Sequence, residues 1–326
     1  MQPEYSTFNQ MNSIKLHTLP LVRGVLSSGR ESGSFMISVR EQLGRIETFK
    51  DGIPSPLVVQ NALPSARPYL HPMLAPDGVG CATEDAPPHH PWQHGLYFGL
   101  NKVNGVGFWT EGLRPKSQAT DGTVSCTQLA VGASDESAQW RVNASWRGLT
   151  GEELLADSTD WTLNVGDERY WLDVAWRLTA TRDVHFGQYP YGGMFLRMPL
   201  HDQAAPCLLS SDGATSCEAA EGQRARWLAV AVALQERISL PAERRHVCIA
   251  LLDHPSNPEH PVPWRADNKF GIGPSRCVAG PWHLRAGASA VFRHRILVTI
   301  GRPDSTIIEA SYEAFTGSIP CQLQSS

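Results

Sequence analysis

Between residues 170 and 179 the chain alternates strictly: Leu172, Val174, Trp176 and Leu178 fall on one side, Trp171, Asp173, Ala175 and Arg177 on the other. A period of two is the mark of a half-buried β-strand. That segment is one of a series. Residues 123–131, 138–146 and 153–165 read as strands before it, and 194–198, 227–234, 246–252 and 290–300 after it, with polar turns between. Residues 16–23 and 34–47 read as edge or half-buried strands, with Pro20 favouring an edge for the first. Residues 227–234 and 246–252 are apolar enough to be central. Only residues 304–315 read as a helix, capped by Asp304 or Ser305, with Ile308, Tyr312 and Phe315 on one stripe. The 28 glycines and 24 prolines supply the turns such a series needs. The expected fold is all-β: a large antiparallel β-sandwich with a short C-terminal helix, one domain over residues 13–326 behind a loose leader of residues 1–12.

Composition removes several function classes. A formal charge of −4 without long basic runs gives no reason to expect a nucleic-acid partner. Seven cysteines, at 81, 126, 207, 217, 248, 277 and 321, are scattered and form no CxxC pair, which argues against a zinc ribbon and a disulfide scaffold. The longest apolar run, residues 227–234, is far short of the roughly 20 residues a membrane helix needs. Residues 1–15 have no apolar segment of signal-peptide length. These features read as a cytoplasmic protein without a membrane partner; they leave homo-oligomerisation open. No GxSxG elbow, P-loop, HExxH or dinucleotide fingerprint is present, so no nucleotide cofactor is expected.

Candidate chemistry concentrates in four places. Pro87, Pro88 and Pro91 exclude a helix through the segment that carries His89, His90 and His94. Fully extended, His90 and His94 would lie roughly 13 Å apart, too far to share one metal ion. A bent loop, eased by Pro91 and Gly95, lets them converge where the chain enters the apolar stretch from Leu96. His71 stands in a segment that otherwise reads as buried, where a satisfied core histidine is the commoner outcome. Arg197 follows Met194, Phe195 and Leu196, and so faces a carboxylate, either a structural partner such as Asp202 or a substrate oxygen. Tyr191, in the tight bend before it, is assigned to substrate binding. The fourth place is a proline-rich loop that presents Asp253, His254, Asn257, His260 and Trp264. Trp264 suits the apolar face of a sugar ring, or plugs the end of the core.

Arg67-Pro68-Tyr69-Leu70-His71-Pro72, His90-Pro91-Trp92-Gln93-His94-Gly95-Leu96, Val103-Asn104-Gly105 with Phe108-Trp109, Gly192-Gly193 through Pro199, and Asp253-His254-Pro255-Ser256-Asn257 through Pro263-Trp264 resemble motifs of the bacterial PmoA-like family over roughly residues 55–300. The family's label, methane oxygenase PmoA, belongs to a helical membrane subunit, which this chain cannot form. As a resemblance it implies carbohydrate catabolism, and the β-rich pattern is similar to galactose-mutarotase-type supersandwich proteins, in which histidines and a carboxylate act on a sugar ring.

The expected function is an enzyme acting on a sugar, an oxidised sugar or a glycoside by elimination, hydrolysis or epimerisation. His90 or His94 takes a proton and His71 or His254 gives one, since imidazole titrates near neutral pH. Arg197, Asn257, Tyr191 and Trp264 hold the substrate, a small-molecule carbohydrate. A variant adds one divalent metal ion on His71, His90, His94 and His254. The reading from another class is a non-catalytic carbohydrate-binding or sensing module. A metal-dependent oxygenase ranks last.

Overall fold

Apolar alternation becomes two facing sheets. The computed structural model describes residues 36–113, 121–133, 137–199 and 207–317, all within one compact unit. The leader boundary near residue 12, the strand expected over residues 16–23, Asp202 and Cys321 lie outside these residues. The first strands are β1 (Ile37–Gln42), β2 (Arg45–Lys50), β3 (Val58–Asn61), β4 (Tyr69–Met73) and β5 (Leu96–Gly99). Then come β6 (Thr123–Ala133), β7 (Ala138–Arg147), β8 (Glu153–Val165), β9 (Arg169–Ala180), β10 (Val184–Phe186), β11 (Gly193–Arg197) and β12 (Cys207–Ser210). A single-turn helix, α1 (Cys217–Ala220), precedes β13 (Trp227–Ala233), β14 (His246–Asp253), β15 (Trp264–Ala266), β16 (Gly271–Pro274), β17 (Trp282–Leu284) and β18 (Ser289–Ile300), and α2 (Ser305–Gly317) follows.

One eight-stranded sheet runs β1-β2-β3-β4-β5-β11-β16-β15 and the other β12-β13-β14-β18-β9-β8-β7-β6, while β10 and β17 form a small pair. The named strand pairs are antiparallel. The fold is therefore the expected all-β sandwich with a short C-terminal helix. Residues 34–47 were expected as one strand, yet Gly44, at φ +69°, turns the chain there into the β1–β2 hairpin.

Between the sheets lies the main core. Leu70, Leu96, Phe98, Met194 and Leu196 come from the first sheet and Trp140, Trp161, Leu172, Trp176, Ile249 and Ile296 from the second. Phe98 stacks on Trp176 at 4.6 Å across the gap, and the Trp140 indole N–H donates to Gln60 Oε1 at 3.1 Å. A carboxyl is also built into this layer. Asp157 points inward from β8, Trp146 Nε1 donates to it at 2.7 Å, and burial pushes its carboxyl up to about 7. The outer face of the second sheet is covered by α2 through Ile308, Tyr312 and Phe315, as the stripe predicts. Asp304 caps that helix by accepting from the N–H groups of Thr306 and Ile307 at 2.8 and 3.2 Å.

Candidate functional site

Alternation places Leu70 in the core and sends its neighbours Tyr69 and His71 to the outer face of the first sheet. Tyr69 pairs in register with Tyr97 of β5, which pairs with Phe195 of β11, so three aromatic side chains cross that face in a row. Residues 84–95 form a strap across it. The Glu84 N–H donates to the Arg197 carbonyl (3.0 Å), the Gly95 N–H to the Glu84 carbonyl (2.8 Å), and the Arg197 N–H to the Gly95 carbonyl (2.7 Å). Gly95 is required here. Its φ is +39°, and a Cβ would overlap the Leu70 carbonyl oxygen. The strap's two ends thus run antiparallel, with Asp85 opposite His94.

That pairing makes a dyad. Asp85 Oδ1 lies 2.6 Å from His94 Nδ1, and the His94 ring stacks on Tyr69 with centroids 4.7 Å apart. The imidazole is only 18% exposed. Burial acts to raise the Asp85 carboxyl, but the hydrogen bond from His94 and the nearby imidazoles bring it below the usual carboxylate range. An ionised Asp85 accepts the Nδ1 proton and leaves the lone pair of a neutral His94 on Nε2. Nε2 faces Glu111 Oε2 at 3.8 Å.

His71 stands beside this pair, its Cβ against Gly95. Its Nδ1 is 2.9 Å from Thr83 Oγ1, which accepts the Met73 N–H at 3.1 Å. Burial depresses the pKa of His71; Asp85 opposes the shift and His94 adds to it. His71 is therefore held neutral, and we assign the Thr83 hydroxyl proton to its Nδ1, which puts the imidazole proton on Nε2.

Glu111 is aimed by strain and by an arginine. It adopts φ +50°, followed by Gly112 at +73°, and the Leu113 N–H closes the turn onto the Thr110 carbonyl at 2.9 Å. Two successive positive φ values make a primed turn, which favours Asn or Asp over Glu at its first position. Arg67 holds the strained residue: its backbone N–H donates to Glu111 Oε1 and its guanidinium meets Oε2, both at 3.2 Å. The same guanidinium donates to the carbonyls of Trp92 (2.7 Å), Phe108 and Trp109 (3.1 Å each) and lies 4.0 Å over the Tyr97 ring. Arg67, 2% exposed, fixes the strap, the turn and the sheet face together.

The eight expected site residues do not form one set. His71 and His94 meet around Asp85. His90 turns its ring edge-on to Trp92 (5.4 Å) and His89 (4.9 Å). Tyr191 is half-buried against Trp109 at 4.7 Å, at the margin of the aromatic row. Arg197 is fully buried, bonded to Gln93, the Lys269 carbonyl and Asp267, the last ion pair at 3.2 Å; it is a structural pair, with Asp267 in the place proposed for Asp202.

His254, Asn257 and Trp264 belong elsewhere, around Asp253 at the end of β14. Asn257 Nδ2 donates to Asp253 Oδ1 at 2.7 Å and to the Arg293 carbonyl at 2.6 Å, clamping the proline-rich loop. His254 lies against Ser256 Oγ (2.8 Å) and edge-on to Phe315 of α2. Trp264 is 1% exposed and its indole N–H donates to the Ala225 carbonyl, so it plugs the core and has no face for a sugar. His254 shares no contact with the His71–His94 pair, which corrects the expectation of a single four-histidine set. Among the described residues no three His, Cys, Asp or Glu side chains are grouped to hold a metal ion. Asp85, Glu111, Arg67 and Tyr69 are the functional candidates that sequence reasoning did not single out. The available signals were the strap's prolines, which favour a closed loop with a partner for His94 near its other end, and the motif of the resemblance in which Arg67 and Tyr69 stand without a role.

A family model of unknown function, DUF6807, matches residues 58–313, well over half of the chain. The chain belongs to the DUF6807 family. No curated protein matches it. Among solved structures, this DUF6807 chain is similar to a galactose mutarotase related enzyme from Lactobacillus acidophilus, at 11% identity over 82% of this chain and 99% of that one, with a TM-score of 0.36. It is similar to an alpha-galactosidase from Lactobacillus brevis at 10% identity and a TM-score of 0.36, over 82% of this chain and 40% of that one. For the GH36 alpha-galactosidase AgaA from Geobacillus stearothermophilus the values are 9% and 0.38, over 81% and 41%. The DUF6807 chain thus spans about two fifths of the length of these alpha-galactosidases. No helix among its described residues is long and apolar enough to cross a membrane.

Proposed function

We propose that this DUF6807 protein is an enzyme acting on a sugar or glycoside by histidine acid–base chemistry on the outer face of the first sheet. The observation that carries it is the Asp85–His94 pair, which orients a partly open imidazole with its Nε2 toward Glu111. His94 would take a proton from a sugar hydroxyl or ring C–H. His71, neutral and with its proton on Nε2, would donate a hydrogen bond that polarises the departing or developing oxygen, and the imidazolium formed on His94 would return its proton to that product, so protons balance across the step. Elimination, hydrolysis and epimerisation all use that exchange. Trp92 and Tyr191 would border the substrate. The oxygenase reading implied by the PmoA-like resemblance gains nothing from the family match, whose description names no activity.

Turnover and binding of a panel of sugars and 3-keto glycosides, measured for the wild type and His94→Ala, test the proposal. We expect turnover to fall by at least about 100-fold, the lower end for a general base, with affinity changed only a few fold. Loss of binding without any turnover in the wild type would favour a carbohydrate-binding module instead.

A further inference from the structure

The charges around His94 restrict what can approach it. Two carboxylates flank the imidazole, Asp85 on the strap and Glu111 on its strained turn, and both retain exposed surface. The interactions of Asp85 keep it ionised to lower pH than an ordinary carboxylate. His71, from β4, is held neutral. Among the described residues, three arginines act on the aromatic row beside it. Arg67 is buried, and its guanidinium is committed to three backbone carbonyls and to Glu111. Arg45, on β2, influences Tyr69 from two strands away, is itself partly open to solvent, and shares the Glu47 carboxylate (3.3 Å) with Arg40. Arg197 is fully buried on the same face, neutralised by Asp267. Beside the single N–H of His71, the site thus offers chiefly acceptors, the carboxylate oxygens of Asp85 and Glu111.

We infer that the site takes uncharged sugars, bound through their hydroxyl donors, and rejects sugars that carry a carboxylate or a phosphate. The inference rests on the proposed sugar-active site and adds its charge selectivity. Hydroxyls donate well to carboxylates. An added anion would stand within several ångströms of Asp85 and Glu111 in a partly dry site, where repulsion is screened less than in bulk water.

Ligand-observed NMR titrations of the full chain, at low ionic strength and pH 7.5, test this with matched series: glucose, glucuronate and glucose 6-phosphate, and galactose, galacturonate and galactose 6-phosphate. The expected result is that the neutral member of at least one series binds, and its anionic partners bind about tenfold or more weakly. Asp85→Asn and Glu111→Gln, each checked for folding by circular dichroism, should narrow that gap, as should added salt. Anionic members binding as tightly as the neutral sugar would overturn the charge selectivity while leaving the sugar site standing. Binding by no sugar in either series would overturn the proposed function and this inference with it.

Discussion

Glu111 stands where chemistry and conformation meet. A non-glycine residue at φ +50° costs on the order of 1 kcal/mol, and such outliers persist where surrounding contacts over-determine them. Here the surrounding contact is Arg67, whose planar fork meets Glu111 and three carbonyls at once. Lysine cannot reproduce that fork. Arg67→Lys is therefore expected to destabilise the protein by about 3 kcal/mol in urea unfolding, since it leaves buried carbonyls unpaired. It should also lower turnover more than affinity, through a misplaced Glu111. Equal losses in Glu111→Gln and in the double variant would show that the arginine acts through the carboxylate.

The strap is the element that ties site to scaffold. The backbone hydrogen bonds that close its base and join it to β11 depend on Gly95. Gly95→Ala should cost about 3 kcal/mol or more, since it forces a Cβ against the Leu70 carbonyl and strains φ; a thermal melt within 2–3 °C of the wild type would contradict the strap geometry. The long strands of the second sheet were legible because burial on one face writes a period of two, as along β8 and β9. The short strands β3, β15 and β16 were not, because three or four residues carry too little periodicity. At the candidate site, His71 and His94 were picked out by type and clustering, while His90 and His254, picked out the same way, stand in other surroundings. The carboxylates were not picked out, because Asp85 and Glu111 meet His94 only through a loop closure and a strained turn. Trp264 failed as a sugar platform for the same reason: burial is a tertiary fact.

At the scale of the whole molecule, two buried titratable groups pull in opposite directions with pH. His294, inward on β18, is pushed down to about 4 chiefly by burial, and Asp157 up to about 7 by the same cause. The folded histidine binds fewer protons than the unfolded one between about pH 4 and 6.5, so its contribution to stability is lost as pH falls through that window. The folded aspartate binds more protons than the unfolded one between about pH 4 and 7, so its contribution is lost as pH rises. The two slopes nearly cancel in the wild type. Asp157→Asn, which keeps an acceptor for Trp146, should uncover the histidine: urea stability would rise with pH between about 4 and 6.5 by up to about 3 kcal/mol. A flat profile in that variant would contradict the burial of a neutral His294.

Asp157 also lies where light can reach what titration hides. Its carboxyl accepts from the indole of Trp146, and Trp176 packs within 6.2 Å of that ring. A charge that appears there alters the field across both indoles at once. The sandwich interior therefore carries its own optical readout, and the tryptophan emission of the unmodified protein should report, near neutral pH, whether the layer between the sheets is holding a proton.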